Sequence, residues 1–253
     1  MEQQDILSMT LPELQAAVQE LGEPKFRAKQ IFNWLHQKRV TDFSEMTTLS
    51  LPFRERLASD FCINRLKIAK RLASSVDDTV KYLYELPDGN YVETVCMQYH
   101  HGTSLCISTQ VGCRMGCRFC ASAIAGFVRN LTPAEMLLQI YETERAQNCK
   151  ISSLVLMGIG EPLDNFDNVL RFLQLLSDPN GYGMSLRHVT VSTCGVVPKI
   201  LELAEQRLGL TLSVSLHCPN DAGRSAIMPI NRSYPIDVLL DACQTYFEKT
   251  GRR

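Results

Sequence analysis

The sequence predicts an α/β fold with a mainly parallel sheet, either open or curled into a barrel, preceded by a small helical region and a β-hairpin linker. Three observations carry that expectation. From Ser104 onward, strand-like runs alternate with amphipathic helical ones, the pattern of repeated βα units. The unusual motifs of this half fall just after the strand-like runs, where ligands bind in such sheets. Finally, 253 residues of which 45% are hydrophobic can bury one large core, or one core with a small accessory domain. The expected division is a helical region over 1–62, a β-linker over 63–103 and the βα region over 104–253.

Thr10, Leu11, Pro12 and Glu13 read as an N-cap, a first-turn proline and a capping-box glutamate. Leu14, Val18 and Leu21 then share one helical face, and Gly22 ends the helix. A second helix is expected from Lys25 to Gln37, with Phe26, Ile31, Phe32, Trp34 and Leu35 as its apolar side and Lys25, Arg27, Lys29 and Lys38 around it. Strand texture begins near Lys67. Val80 to Leu86 and Tyr91 to Met97 largely alternate apolar with polar residues, and Pro87-Asp88-Gly89-Asn90 between them reads as a hairpin turn. In the βα region the expected strands are Leu105 to Ser108, Ser153 to Met157, His188 to Ser192 and Thr211 to Leu216. The expected helices run from Thr132 to Asn148, Asn165 to Leu176, Pro198 to Gln206 and Ile236 to Lys249.

A formal net charge of −1 leaves nucleic acid open as a partner, because a local basic face can supply phosphate contacts. No charged-then-apolar leader and no long apolar segment is visible, so Cys62, Cys96, Cys149, Cys194, Cys218 and Cys243 are expected as buried free thiols, and none of the ten cysteines as part of a disulfide framework, in a reducing cytoplasm with no membrane partner.

Three of those cysteines stand apart. Cys113, Cys117 and Cys120, in GCRMGCRFCAS, have three and then two residues between them. A four-iron cluster is normally held by four thiolates, so three would leave one iron open to a small-molecule ligand. Structural zinc is the competing reading, and it needs a fourth ligand nearby. Cys106 reads as a core thiol in a strand, while His100 and His101 lie closer to a turn. After the second strand comes GIGEP, Gly158 to Pro162, either a close backbone approach to a ligand or simply a tight turn. After the third and fourth come Ser192-Thr193-Cys194-Gly195 and Ser215-Leu216-His217-Cys218-Pro219, whose hydroxyls suit ligand contacts or helix caps alike.

The ordered set of Glu93 in YVETV, the cysteine triplet, GIGEP, VSTCGVVP and SLHCPND, with LGEPKFRAKQIFNWLH near the N-terminus, resembles the RlmN family of radical S-adenosylmethionine (SAM) RNA methyltransferases and its relative Cfr. The resemblance runs through nearly the whole chain. It implies a partial (β/α) radical SAM barrel with a helical RNA-binding domain, and methylation of an adenine ring carbon in 23S rRNA and tRNA. That carbon is carbon 2 for RlmN and carbon 8 for Cfr. It further implies a [4Fe-4S] cluster held by Cys113, Cys117 and Cys120, with SAM lined by Gly160, Glu161, Ser192, Ser215, Leu216 and His217. In the family one SAM methylates a cysteine near the C-terminus, and a second supplies the radical that activates this methyl group. By the same likeness Glu93 is the base and Cys106 the resolving cysteine. Lys25, Arg27, Lys29 and Arg65 become candidate phosphate contacts. An electron donor such as flavodoxin, a monomeric state and a cytoplasmic location complete what the resemblance implies.

Only four βα units are legible, where the family's partial barrel has six. The methyl-carrying cysteine has no counterpart among Cys194, Cys218 or Cys243, so a fragment or a truncated product is expected. Two other classes remain open on the residues: a radical SAM enzyme with another substrate, and a zinc-bound RNA-binding module.

Overall fold

The computed structural model describes residues 3–252. Its first region comprises β1 (Gln4–Asp5), α1 (Leu11–Glu20), α2 (Phe26–Asn33), α3 (Leu51–Asp60) and β2 (Phe61–Cys62), with β1 and β2 paired in parallel. The capping box at α1 forms as its sequence requires. The Thr10 N–H donates to Glu13 Oε2 at 2.8 Å, and the Glu13 N–H donates back to Thr10 Oγ1. Glu13 also accepts from Arg171 at 2.6 Å, which ties this helix to the βα region.

The second helix departs from expectation in two ways. It is α-helical only to Asn33, then widens into a π-helical turn over Trp34–Lys38 that Arg39 closes in the left-handed conformation (φ 55°). The wider turn lets Leu35 and His36 both enter the core. Phe26, expected on the apolar face, is exposed: as the first helical residue it points off the end, 5.0 Å from the Arg27 guanidinium.

The second region begins with β3 (Lys67–Ala73), β4 (Val80–Glu85), β5 (Tyr91–Tyr99) and β6 (Gly102–Ile107). A ribbon of β7 (Gln110–Gly112) and β8 (Phe127–Asn130) follows, then α4 (Pro133–Gln147), β9 (Ile151–Leu156), α5 (Phe166–Ser177), β10 (Val189–Thr193), α6 (Val197–Glu205), β11 (Thr211–Val214), α7 (Asp221–Ile227) and α8 (Ile236–Thr250). One seven-stranded sheet runs in the order β11-β10-β9-β6-β5-β4-β3. The four strands β6, β9, β10 and β11 are parallel, and β3 to β6 form an antiparallel meander. The strands expected as a linker therefore continue the parallel sheet, sharing β6 with it.

Alternation along the strands sets the two faces. Leu105, Ile107, Leu154, Leu156, Val189 and Val191 are fully or nearly fully buried and lie in one core with Leu137, Ile140, Phe172, Leu173 and Ile200 of the helices. Helix α4 is buried along most of its length because the first region covers its outer side: His36 reaches Tyr141, and Ser8 Oγ accepts from the Ala134 N–H. The opposite sheet face, carrying Glu93, Cys106 and Val155, is only half-buried. Among the described residues no helix is long and apolar enough to cross a membrane.

Candidate active site

The three cysteines sit on the loop between β7 and β8, above the carboxyl ends of the parallel strands. The ribbon fixes the loop at its base. The Cys113 N–H donates to Gly126 O at 3.0 Å, and Gly112 (φ 72°) allows this approach, since a Cβ there would stand 1.7 Å from the same oxygen. Further out, three contacts dock the loop on its neighbours. Arg114 pairs with Asp164 at 2.8 Å, the Arg118 N–H donates to Ile227 O at 2.9 Å, and the Phe119 ring meets His217 edge-on at 4.5 Å between centroids. All three thiols are free and half-buried. Burial pushes Cys113 and Cys117 above the usual thiol range, and the neighbouring cysteines add to this: Cys117 feels both Cys113 and Cys120.

The GIGEP turn follows β9 and packs onto the chain between β6 and β7. The Gly158 N–H donates to Ile107 O, Ile159 N–H to Ser108 Oγ and Glu161 N–H to Gln110 Oε1, each at 2.9 Å. A Cβ at Gly158 would lie 2.7 Å from the Ile107 carbonyl, and one at Gly160 (φ 107°) 2.6 Å from Gln110 Cβ. The close approach these glycines permit is therefore to protein backbone and to Gln110. Glu161 is 3% exposed and accepts from Leu163 N–H on Oε1 and Cys194 N–H on Oε2, at 3.1 and 2.8 Å. Its carboxylate thus joins the loops after β9 and β10, and burial raises it above the usual carboxylate range.

Ser192 is buried near the end of β10, and the Ser215 N–H donates to Thr193 O at 2.9 Å. His217 is in the left-handed conformation (φ 56°), which turns its ring toward Phe119 of the cysteine loop; Leu216 beside it is exposed. Residues from three strand ends thus converge beside the cysteines.

Glu93 and Cys106 share the half-buried face. The register pairs Val95 with Cys106 and Cys106 with Val155, and Ser108 Oγ donates to Glu93 O at 2.6 Å. The two side chains are therefore diagonal neighbours across β5 and β6, about 7–8 Å apart at that register. Glu93 forms an ion pair with Lys81 at 2.8 Å, both side chains 42% exposed. Burial raises the Cys106 thiol, partly offset by a hydrogen bond with the Met157 backbone.

Among the described residues no three His, Cys, Asp or Glu side chains converge as ligands of one ion, which a tetrahedral zinc site requires. His100 and His101 lie in the β5–β6 turn, at the opposite end of β6 from the cysteine loop. The three half-buried free thiols of one loop are donors of the kind a [4Fe-4S] cluster takes.

Comparison with known proteins decides the lineage. The Ribosomal RNA large subunit methyltransferase N-terminal domain matches residues 4–63, and the Radical SAM superfamily matches residues 107–252. A "Probable dual-specificity RNA methyltransferase RlmN" of Lachnoclostridium phytofermentans is 52% identical over 98% of this chain and 70% of its own length. One of the same name from Alkaliphilus oremlandii is 50% identical over 100% and 74%. The chain belongs to the RlmN family of radical SAM proteins. A solved radical SAM methyltransferase from Sphaerobacter thermophilus, 38% identical, superposes with a TM-score of 0.93 over 99% of this chain and 74% of its own. The chain thus spans about 70–74% of the length of these RlmN relatives.

In this RlmN-family chain the candidate phosphate contacts are unequal. Lys25 and Lys29 are exposed, whereas Arg27 bonds Gln30 and Thr48 O, and Arg65 pairs with Glu142 at 3.5 Å. Sequence reasoning missed Gln110, Asp164, Phe119 and Arg224, all of which brace the strand-end loops. Asp164 and Arg224 stand within three residues of motifs that were noticed, GIGEP and SLHCPND, and Phe119 and Gln110 flank or interrupt the triplet; proximity to those motifs was the available signal.

Proposed function

We propose that this chain is the cluster- and SAM-binding part of an RNA methyltransferase that modifies carbon 2 of adenosine in 23S rRNA and tRNA. The observation that carries the reading is the convergence of the Cys113, Cys117 and Cys120 loop with the GIGEP, Ser192 and Ser215–His217 segments at the ends of the parallel strands, on a chain about half identical to RlmN proteins. The three cysteines would hold a [4Fe-4S] cluster. Bound there, the cluster supplies the electron that cleaves SAM reductively.

The remaining chemistry belongs to side chains. Gly160, Glu161, Ser192, Ser215, Leu216 and His217 bind and orient SAM, with the buried Glu161 carboxylate placed to accept from its ammonium. Glu93 takes the proton from the adenine ring carbon, and its ion pair with Lys81 orients the carboxylate until RNA arrives. Cys106, two residues along the facing strand, is the resolving thiol. An aromatic amidine carbon is too weak a nucleophile for direct attack on a sulfonium, so the radical route is the one the substrate demands. Lys25 and Lys29 contact phosphates, and the target base is extruded from its stack to reach the site. An external electron donor of the flavodoxin kind, a monomeric state and a cytoplasmic setting belong to the same proposal, as does division into regions 1–62, 63–103 and 104–253.

Two measurements test it. Anaerobic reconstitution with iron and sulfide should give a brown protein with a cluster signal in electron paramagnetic resonance (EPR), lost in C113A, C117A and C120A alike. The product of the complete reading frame should then convert adenosine to 2-methyladenosine in an rRNA fragment, read by mass spectrometry of the digest. A colourless protein with bound zinc, or methylation at carbon 8, would overturn the corresponding half of the proposal.

A further inference from the structure

Arg224 on α7 is fully buried, yet among the described residues it forms no ion pair with a carboxylate. Its Nη1 donates to Asn231 Oδ1 at 2.7 Å, and its Nη2 to Cys194 O at 2.7 Å and Ser215 O at 3.3 Å; Nε meets no acceptor among the described residues. Asp221, the carboxylate of the same helix, is committed elsewhere: it accepts from Asn231 Nδ2 and from the Ile236 N–H. A guanidinium does not lose its proton in a protein. A full positive charge is therefore hydrogen-bonded by neutral acceptors inside the protein, with Asp221 of the same helix acting on it electrostatically, an arrangement that further negative charge nearby would favour.

The segment carrying this charge lies against the cysteine loop. The Arg118 N–H, one residue after Cys117, donates to Ile227 O at the end of α7, and a Cβ on Gly116 would be 3.6 Å from Pro229 Cγ. The side chain itself clamps the loops after β10 and β11, which carry Cys194 and Ser215. The segment that carries Arg224 thus packs directly on the cysteine loop, and the guanidinium itself is anchored on the two neighbouring strand-end loops.

We infer that Arg224 is a positioning residue for the electron-transfer step: it is the buried counter-charge of the loop bearing Cys113, Cys117 and Cys120, and it raises the reduction potential of the cluster held there. The inference rests on the cluster reading above. Reduction adds one negative charge to the cluster, so a fixed cation beside it favours the reduced form. Its bonds to Cys194 O and Ser215 O keep that cation from swinging away when the loops move.

The test is an EPR-monitored redox titration of the reconstituted chain and its R224Q and R224K variants, with iron content, melting temperature and SAM affinity by equilibrium dialysis measured alongside. R224Q should reduce the ratio of reduced to oxidised cluster at the parental midpoint about tenfold, equivalent to 59 mV for one electron. R224K keeps the charge and should stay within about threefold of the parent, even where its melting temperature falls as far as that of R224Q. A merely structural role predicts the reverse: iron content falls in both variants while the potential of the remaining cluster stays put, and that result overturns the inference. It is equally overturned if R224Q weakens SAM binding at unchanged potential, since the charge would then serve the ligand carboxylate. If R224Q does not fold, N231A replaces it: the arginine loses one tether, the potential should fall by less in the same direction, and no change refutes the role. A parent chain that takes up no cluster at all removes the cluster reading and this inference together.

Discussion

Replacing His36 with phenylalanine should flatten the acid side of the stability profile. The imidazole is 1% exposed on the π-helical turn, its ring 4.3 Å from that of Phe32 and its Nδ1 2.9 Å from Tyr141 Oη, while Nε2 has no partner. A buried nitrogen with nothing to donate to is best left without a proton, so Nδ1 carries the hydrogen toward Tyr141. Burial pushes the pKa of His36 down to about 4, against a smaller opposing pull from Asp178. The unfolded imidazole titrates at the ordinary value of about 6.5. Between these two values the unfolded chain binds the proton and the folded chain refuses it, so this contribution to stability is complete above about pH 6.5 and is lost as pH falls toward 4. The loss reaches about 2 kcal/mol at pH 5 and about 3 kcal/mol at pH 4, a large part of the ~5–15 kcal/mol that holds a typical domain. Asp5 works the other way, because burial raises its pKa to about 6 and acid then favours the folded form. The wild-type profile alone therefore mixes two opposing groups, whereas the difference between wild type and H36F isolates one. Urea unfolding followed by the fluorescence of Trp34, the single tryptophan and a neighbour in the same turn, supplies that difference. H36F also strands the Tyr141 hydroxyl, but this penalty does not change with pH here, because burial keeps Tyr141 protonated well beyond neutrality. Parallel profiles for the two proteins from pH 7 to 4.5 would refute the reasoning and mean that the imidazole is open to water.

Gly112→Ala should abolish most iron uptake, because the new Cβ would sit 1.7 Å from Gly126 O; Gly22→Ala, with a similar positive φ but nothing within 4 Å, should keep it. An iron and sulfide assay on both variants separates a collision from mere backbone strain. Glu161→Gln places an NH2 group opposite one of two backbone N–H donors, Leu163 or Cys194, which should cost roughly 2 kcal/mol. For a chain of this size that is a fall of about 5 °C in Tm, and SAM binding by equilibrium dialysis should disappear with it. Phe172→Ala empties a fully buried site between sheet and helix and should lower stability by about 3–5 kcal/mol in urea, leaving the cysteine loop intact by thiol titration.

Features set by a few adjacent residues were the ones legible in the sequence. The capping boxes at Thr10 and Thr132, the turn at Pro87–Asn90 and the four parallel strands each depend on local spacing or on strict alternation, and each formed within three residues of its expected limits. The π-helical turn is different. Trp34 to Lys38 is an ordinary continuation of a helical pattern, and only the fit of Leu35 and His36 against α4 favours the extra residue in the turn. Helix α7 contains Gly223 and just seven residues, so periodicity could not announce it. It exists because Asn220 Oδ1 caps the Gly223 N–H at 2.8 Å and because Arg224 is held by Asn231, Ser215 O and the more distant Cys194 O.

The same distinction explains the candidate site. Spacing alone marked Cys113, Cys117 and Cys120, since three cysteines within eight residues stay on one loop whatever surrounds it. Glu93 and Cys106 carry no such mark. Alternation says which face of a strand each occupies, but not which residue stands opposite, and that register is settled by the turn at Tyr99–Gly102 and by Ser108 reaching back to Glu93 O. The residues that brace the loops are harder still to read, because Gln110, Asn165 and Arg224 each make a contact across thirty residues or more to a partner with no pattern of its own. Resemblance can point to a ligand-binding residue through its motif. A brace becomes visible only when a buried polar side chain is followed to everything it touches, as Arg224 is to Asn231, Cys194 O and Ser215 O.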